Sequence, residues 1–211
     1  LNDVNFFGEY EYAALALTAV ITGLYGVRRT FHTKENNLFF IMLIMNFLSA
    51  ATHIVTTKTL SIADQYSYFF NYTVNILYLL SYNLIAIFYL KYVMAITRHE
   101  RTSKADSFFI RFVTVVIAGM LCTTPFTKLI FYFDENMRYP HGPVFFLLPG
   151  TAVLILLYTI TLFIRFRKHT KRSQNAAIVF FVLMTTAATI IQLIDSRLII
   201  SNFAIALSIV L

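Results

Sequence analysis

The sequence predicts an all-α fold, a polytopic membrane bundle of seven transmembrane helices, and three observations predict it. Hydrophobic residues make up 58% of the chain and charged residues 13%, against roughly 25% charged in a typical soluble domain. Apolar runs of about 20 residues, the length that crosses a bilayer, recur along the 211 residues. The segments between those runs alternate in charge.

The alternation sets an expected orientation. Most of the 17 Lys and Arg residues fall in three clusters. The first is Arg28, Arg29 and Lys34. The second is Lys91, Arg98, Arg101, Lys104 and Arg111, and the third is Arg165, Arg167, Lys168, Lys171 and Arg172. Lys58, Lys128, Arg138 and Arg197 lie on the other side. Acids run the opposite way, with Asp3, Glu9, Glu11, Asp64, Asp134, Glu135 and Asp195 apart from the basic clusters. Short connections rich in Lys and Arg stay in the cytoplasm. The N-terminus is therefore expected outside and the C-terminus in the cytoplasm. The net charge of +7 follows from this orientation and from contact with anionic inner-leaflet lipid. It does not indicate nucleic acid, because no basic patch is interleaved with aromatics on a polar face.

The first helix is expected over 10–27, closed by Arg28 and Arg29, and the second over 38–56. The third runs from about 66 to 97, longer than a bilayer needs, so it should tilt or project. The fourth covers 108–124, where Pro125 should kink or end it. The fifth covers 143–166, with Pro143 suited to a first helical turn. The sixth covers 175–194, and the seventh starts near Arg197. Trp is absent, so Tyr10, Tyr12, Tyr66, Tyr68, Tyr132 and Tyr139 supply the interfacial rings at the outer boundary. The chain starts at Leu1 without Met and stops at Leu211 inside an apolar run. It reads as one helix bundle, 1–211, that is a piece of a longer protein.

The most unusual connection lies between helices four and five. Residues 130–134 are aromatic and roughly alternating, Asp134-Glu135-Asn136 is turn chemistry, and Arg138 and Tyr139 can return beside the first arm before Pro140 stops the pairing. This reads as a short extracellular β-hairpin over the outer mouth of the bundle. It is either a lid on a ligand pocket or an ordered loop without a ligand.

Other polar groups gather toward the same end. Asn71, Asn75, Tyr78 and Tyr82 share one face of the third helix, with Asn83 beside it. Amides at membrane depth face the bundle interior or water, so Asn71 and Asn75 are either interhelical contacts or the wall of a pocket. Gln192 and Asp195 lie on one face of the sixth helix, Glu9 and Glu11 open the first, and His53 stands near the outer end of the second. The ligand-binding set expected from these residues is Glu11, His53, Asn71, Asn75, Asp134, Tyr139, His141, Gln192 and Asp195. Such an acidic, amide-rich cavity suits a polar or cationic ligand, although Glu9 and Asp195 could equally be solvated at the interface. Thr185, Thr186, Ala187, Ala188 and Thr189 suit close helix packing.

Several chemistries find no support. Cys122 is the single cysteine, so no disulfide within the chain can form and metal-ligand spacing is absent. No apolar run has a Lys at its middle, which leaves a retinal Schiff base unsupported. There is no HExxH, GxSxG or P-loop, and no paired carboxylates at the middle of an apolar run. No cofactor, metal or catalytic residue is expected.

Tyr10-Glu11-Tyr12 before an apolar helix ending in Arg28-Arg29 resembles the start of a bacterial seven-helix sensor region. So does Thr124-Pro125-Phe126-Thr127, followed by Ile130-Phe131-Tyr132-Phe133-Asp134 and Tyr139-Pro140-His141-Gly142-Pro143. The pattern is similar to the N-terminal membrane regions of diguanylate cyclases (GGDEF proteins) and the related region of some histidine kinases. The resemblance implies a receptor in the bacterial cytoplasmic (inner) membrane. It would bind a small molecule or peptide and signal through its last helix to a cyclase that makes cyclic di-GMP from GTP, as a homodimer through the output domain. The alternatives are the sensor of a peptide-pheromone histidine kinase and a small membrane transporter.

Overall fold

A computed structural model describes residues 9–28, 33–98, 103–135, 138–194 and 200–210, except the side chains at 28, 61, 64, 98, 169, 192, 193 and 210. Among them the chain is all-helical, with α1 (Glu9–Arg28), α2 (Lys34–Ser61), α3 (Tyr68–Arg98), α4 (Lys104–Thr127), α5 (Leu147–Phe166), α6 (Arg172–Ile194) and α7 (Ser201–Val210). Six of these, α1 to α6, are long and apolar enough to cross a membrane. The described part of α7 has 10 residues, about 15 Å at 1.5 Å per residue, half of a hydrocarbon core of about 30 Å. The seven expected crossings are therefore six candidate spans and one short helix.

α2 and α4 begin about a turn before their apolar runs, because polar caps extend them. The Thr33 hydroxyl accepts from the Asn36 amide at 3.2 Å. Ser103 and Asp106 form a reciprocal capping box, the Ser103 amide donating to the Asp106 carboxylate at 3.2 Å. Such caps satisfy amides that the first turn leaves without partners. Pro125 does not stop α4 on the spot. The helix runs on to Thr127 and ends at Lys128, whose left-handed backbone (φ 56°) lets its amide reach the Thr124 carbonyl at 2.8 Å.

The expected β-hairpin is not formed as strands. Among the described residues the loop between α4 and α5 holds one isolated antiparallel bridge, Phe131 to His141. The chain does fold back: Tyr132 donates to the Pro140 carbonyl at 3.1 Å and Gly142 to Ile130 at 2.7 Å. Pro140 has no N–H to return, so the ladder cannot propagate. The same bonds explain why α5 starts at Leu147 rather than Pro143. The Gly142 and Val144 amides bond the carbonyls of Ile130 and Leu129 at 2.7 and 3.0 Å, and 143–146 form turns closed by Phe145 to Gly142 at 3.2 Å and Leu147 to Val144 at 2.9 Å. Gly142 is required there, since a Cβ would stand 2.2 Å from the Leu129 carbonyl oxygen.

α3 is the interior helix. It packs on α2, α4 and α5, while α1 lies against α2 and α7, and α6 against α7. One apolar core joins α3, α4, α5 and the folded loop through Tyr72, Leu90, Leu121, Phe131 and Ile155. A second joins α2, α3, α6 and α7 through Leu43, Ile85, Phe181 and Ile205. Where α1, α2 and α7 meet, the contacts are Ala14, Ala50 and Ala206, small residues that let helices approach closely in lipid. That close approach brings polar side chains of three helices together.

Candidate functional site

The α1–α2–α7 junction holds a connected set of buried polar groups. Glu11, His53 and Asn202 are 2%, 6% and 1% exposed. One Glu11 carboxylate oxygen lies 3.2 Å from His53 Nδ1, and the other accepts from the Asn202 side-chain amide at 2.9 Å. The Ser49 hydroxyl donates to Asn202 Oδ1 at 3.0 Å. Asn46 Nδ2 is shared between the Asn202 backbone carbonyl at 3.3 Å and Thr18 Oγ1 at 3.0 Å. The His53 ring lies flat on Tyr78 of α3, with centroids 4.1 Å apart and planes 5° from parallel.

Helical periodicity builds this arrangement. Glu11, Ala14 and Thr18 follow one another at three and four residues, as do Asn46, Ser49 and His53, so each set forms a single stripe. The stripes face each other, and α7 supplies Asn202 from its second position. Glu11 and His53 both lie within candidate spans. An unpaired carboxylate at such a place is costly, and each neighbour reduces that cost. A carboxylate and an imidazole are thus the two ionisable groups of the junction. Asn46 Oδ1, Glu11 Oε1 and His53 Nδ1 are buried and make no hydrogen bond, so Glu11 and His53 approach closely without one.

The other expected residues are placed elsewhere. Asn71 is fully buried, and its amide donates to the Ala63 carbonyl at 3.1 Å, holding the connection between α2 and α3. Asn75 donates to the Asn71 carbonyl of its own helix at 2.8 Å. Neither amide lines the cavity beside Phe39 and Tyr92, the one beside Tyr82 and Pro149, or the one beside Lys34 and Lys91. Asp134 accepts from the Arg138 amide at 2.8 Å and so closes the loop tip. Tyr139 packs on Phe131 at 5.0 Å, and burial pushes its hydroxyl well above the ordinary range. His141 is stacked on Phe145 at 3.7 Å but exposed on its other side, and desolvation lowers its pKa. The Gln192 side chain and Asp195 lie outside the described residues. Beneath the loop the space is filled by Ile130, Phe131 and Phe133, which pack against Tyr72.

Of the expected set, Glu11 and His53 meet across two helices in this junction, while Asn71 with Asn75 and Tyr139 with His141 are near neighbours elsewhere. Thr18, Asn46, Ser49 and Asn202 join Glu11 and His53, and each was legible as a polar residue inside an apolar run. Among the described residues no group of three or more His, Cys, Asp or Glu side chains could hold a metal ion. Comparison with protein-family models, curated proteins and solved structures gave no match to this chain.

Proposed function

We propose that this chain is the membrane-embedded sensory module of a bacterial signalling protein, with α1 starting outside the cell and α7 leading toward the cytoplasm. The observation that carries the reading is the Glu11–His53–Asn202 contact, which ties the first helix to the last described one through groups that can change charge. A ligand, or a proton, that binds one state of this contact better than the other shifts the hold on α7 by that difference and no more. Following the resemblance, the output is a diguanylate cyclase acting as a homodimer, and a histidine kinase would use the same coupling. The basic residues at the other end of the bundle support the orientation.

The test joins residues 1–211 in frame to a cyclase domain and measures cyclic di-GMP in bacterial membranes as external pH and added small cations vary. The expected result is an output that responds, with His53→Gln and Asn202→Ala each altering it at equal membrane level. Output indifferent to both substitutions sinks the reading. A buried carboxylate–imidazole pair is also proton-carrying chemistry. Proton uptake into sealed vesicles that His53→Gln abolishes would favour the transporter instead.

A further inference from the structure

At the opposite end of the bundle a cavity of about 380 Å³ opens between α2, α3 and α4. Three cations from three helices line it: Lys34, Lys91 and Arg111. Ser107 adds a hydroxyl, and the remaining lining residues, Leu38, Met94 and Ile110, are buried and apolar.

Lys91 and Arg111 are not on connecting segments. Lys91 lies inside the candidate span Tyr68–Thr97 and Arg111 inside Lys104–Thr127. Lys91 is half-buried and Arg111 exposed, and cations within an apolar span are costly unless something of opposite charge meets them. Among the described residues no carboxylate lies within ion-pair distance of Lys34, Lys91 or Arg111. Glu35 follows Lys34 without pairing with it. Asp106 is taken by the Tyr158 hydroxyl and the Ser103 amide. Lys91 only rests over its helix neighbour Phe88, at 5.0 Å. Lys34 is the first residue of α2, so the positive end of the helix dipole adds to the same field.

Beside Arg111 the surface of α4 is apolar and open. Phe108, Phe112 and Val115 are 70%, 58% and 69% exposed, and the two Phe rings stack at 6.1 Å. A phosphate ester with acyl chains fits both halves of this surface, whereas a free phosphate accounts only for the cations. We propose that the pocket is a binding site for an anionic phospholipid, its phosphate held by Lys91 and Arg111 with Lys34 at the mouth and its chains lying along the Phe108–Phe112–Val115 face. Charge-assisted bonds from guanidinium and ammonium are the strong form of such contacts, and basic pockets between membrane helices recognise anionic headgroups. The proposal rests on the membrane character of the helices and not on the sensory reading.

The test titrates the purified chain in neutral detergent with dioctanoyl phosphatidylglycerol, dioctanoyl phosphatidylcholine or inorganic phosphate and follows the thermal midpoint. Phosphatidylglycerol is expected to raise the midpoint and phosphatidylcholine not to. Apparent affinity should fall roughly twenty- to thirtyfold in Lys91→Gln/Arg111→Gln, from about a fivefold loss per charge. Arg111→Lys should retain most of it, and Lys104→Gln, which removes an exposed cation nearby, should leave it unchanged. Equal stabilisation by inorganic phosphate, lost with the same charges, overturns the lipid in favour of a soluble phosphate. An equal response to phosphatidylglycerol in the double variant, or no response in the parent chain, overturns the site. If the double variant does not fold, the single substitutions Lys91→Gln and Arg111→Gln decide in the same way.

Discussion

Asn202 donates a 2.9 Å hydrogen bond to Glu11, 191 residues earlier in the chain. That contact closes the bundle on itself. It joins the first helix to the last described one, and the backbone and Oδ1 of Asn202 carry the connection to Asn46 and Ser49 on α2.

Asn202→Ala removes two side-chain bonds and strands a Glu11 oxygen. Side-chain hydrogen bonds between membrane helices average about 0.6 kcal/mol, and an unsatisfied buried acceptor adds to that, so a loss of about 1–3 kcal/mol is expected. Denaturant unfolding in bicelles measures it. A stability unchanged within error would mean that α7 is held by its apolar contacts alone.

His53→Phe keeps a ring against Tyr78 and deletes the nitrogen facing Glu11. The buried Glu11 oxygen then faces an apolar ring edge, and a loss of about 1–3 kcal/mol is expected. Adding Glu11→Gln should restore much of the loss, with a coupling of about 0.5–3 kcal/mol in the double-mutant cycle. Additive losses would argue that the two groups do not interact.

Gly142→Ala tests the folded loop. The added methyl meets the Leu129 carbonyl at 2.2 Å, and backbone cannot move aside as a flexible side chain can. A cost of about 1–3 kcal/mol is expected, with faster amide exchange at Val144 and Gly142, whose N–H groups bond Leu129 and Ile130. Exchange as slow as in the parent chain would contradict the contact.

His141 should titrate below its ordinary value of about 6.5, because its ring is desolvated against Phe145. A lowered value in the folded state means that the neutral ring is the stabilising form. Its contribution is complete above about pH 6.5 and is lost as pH falls through the lower, folded value. An imidazole NMR titration of the intact chain checks the sign, and a midpoint at or above the free value would refute it.

The helices were legible because membrane spans are specified by length and hydropathy, which the sequence carries directly. Their ends were less so, because Thr33 and Ser103 extend helices by polar capping, to which an apolar count is blind. At the loop, the aromatic alternation of 130–134 was real, but Pro140 withholds the donor that strands need. Glu11 and His53 could be singled out as ionisable groups near one end of their helices. Asn202 could not be joined to them, since no local pattern links residues 191 positions apart. Asn71 and Asn75 shared a face as expected, yet their amides serve nearby backbone, a choice that periodicity does not reveal.

The closure of α1 by α7 also has a consequence for biogenesis. Glu11 meets the ribosome's exit and the bilayer long before Asn202 is made. At about 5–20 residues per second, 191 intervening residues take roughly ten to forty seconds. Through that interval His53 is its nearest permanent companion, and before α2 is inserted it has none from this set. Until α7 is made, α1 is therefore held through α2 alone, and the Asn202 contact is the step that completes the junction.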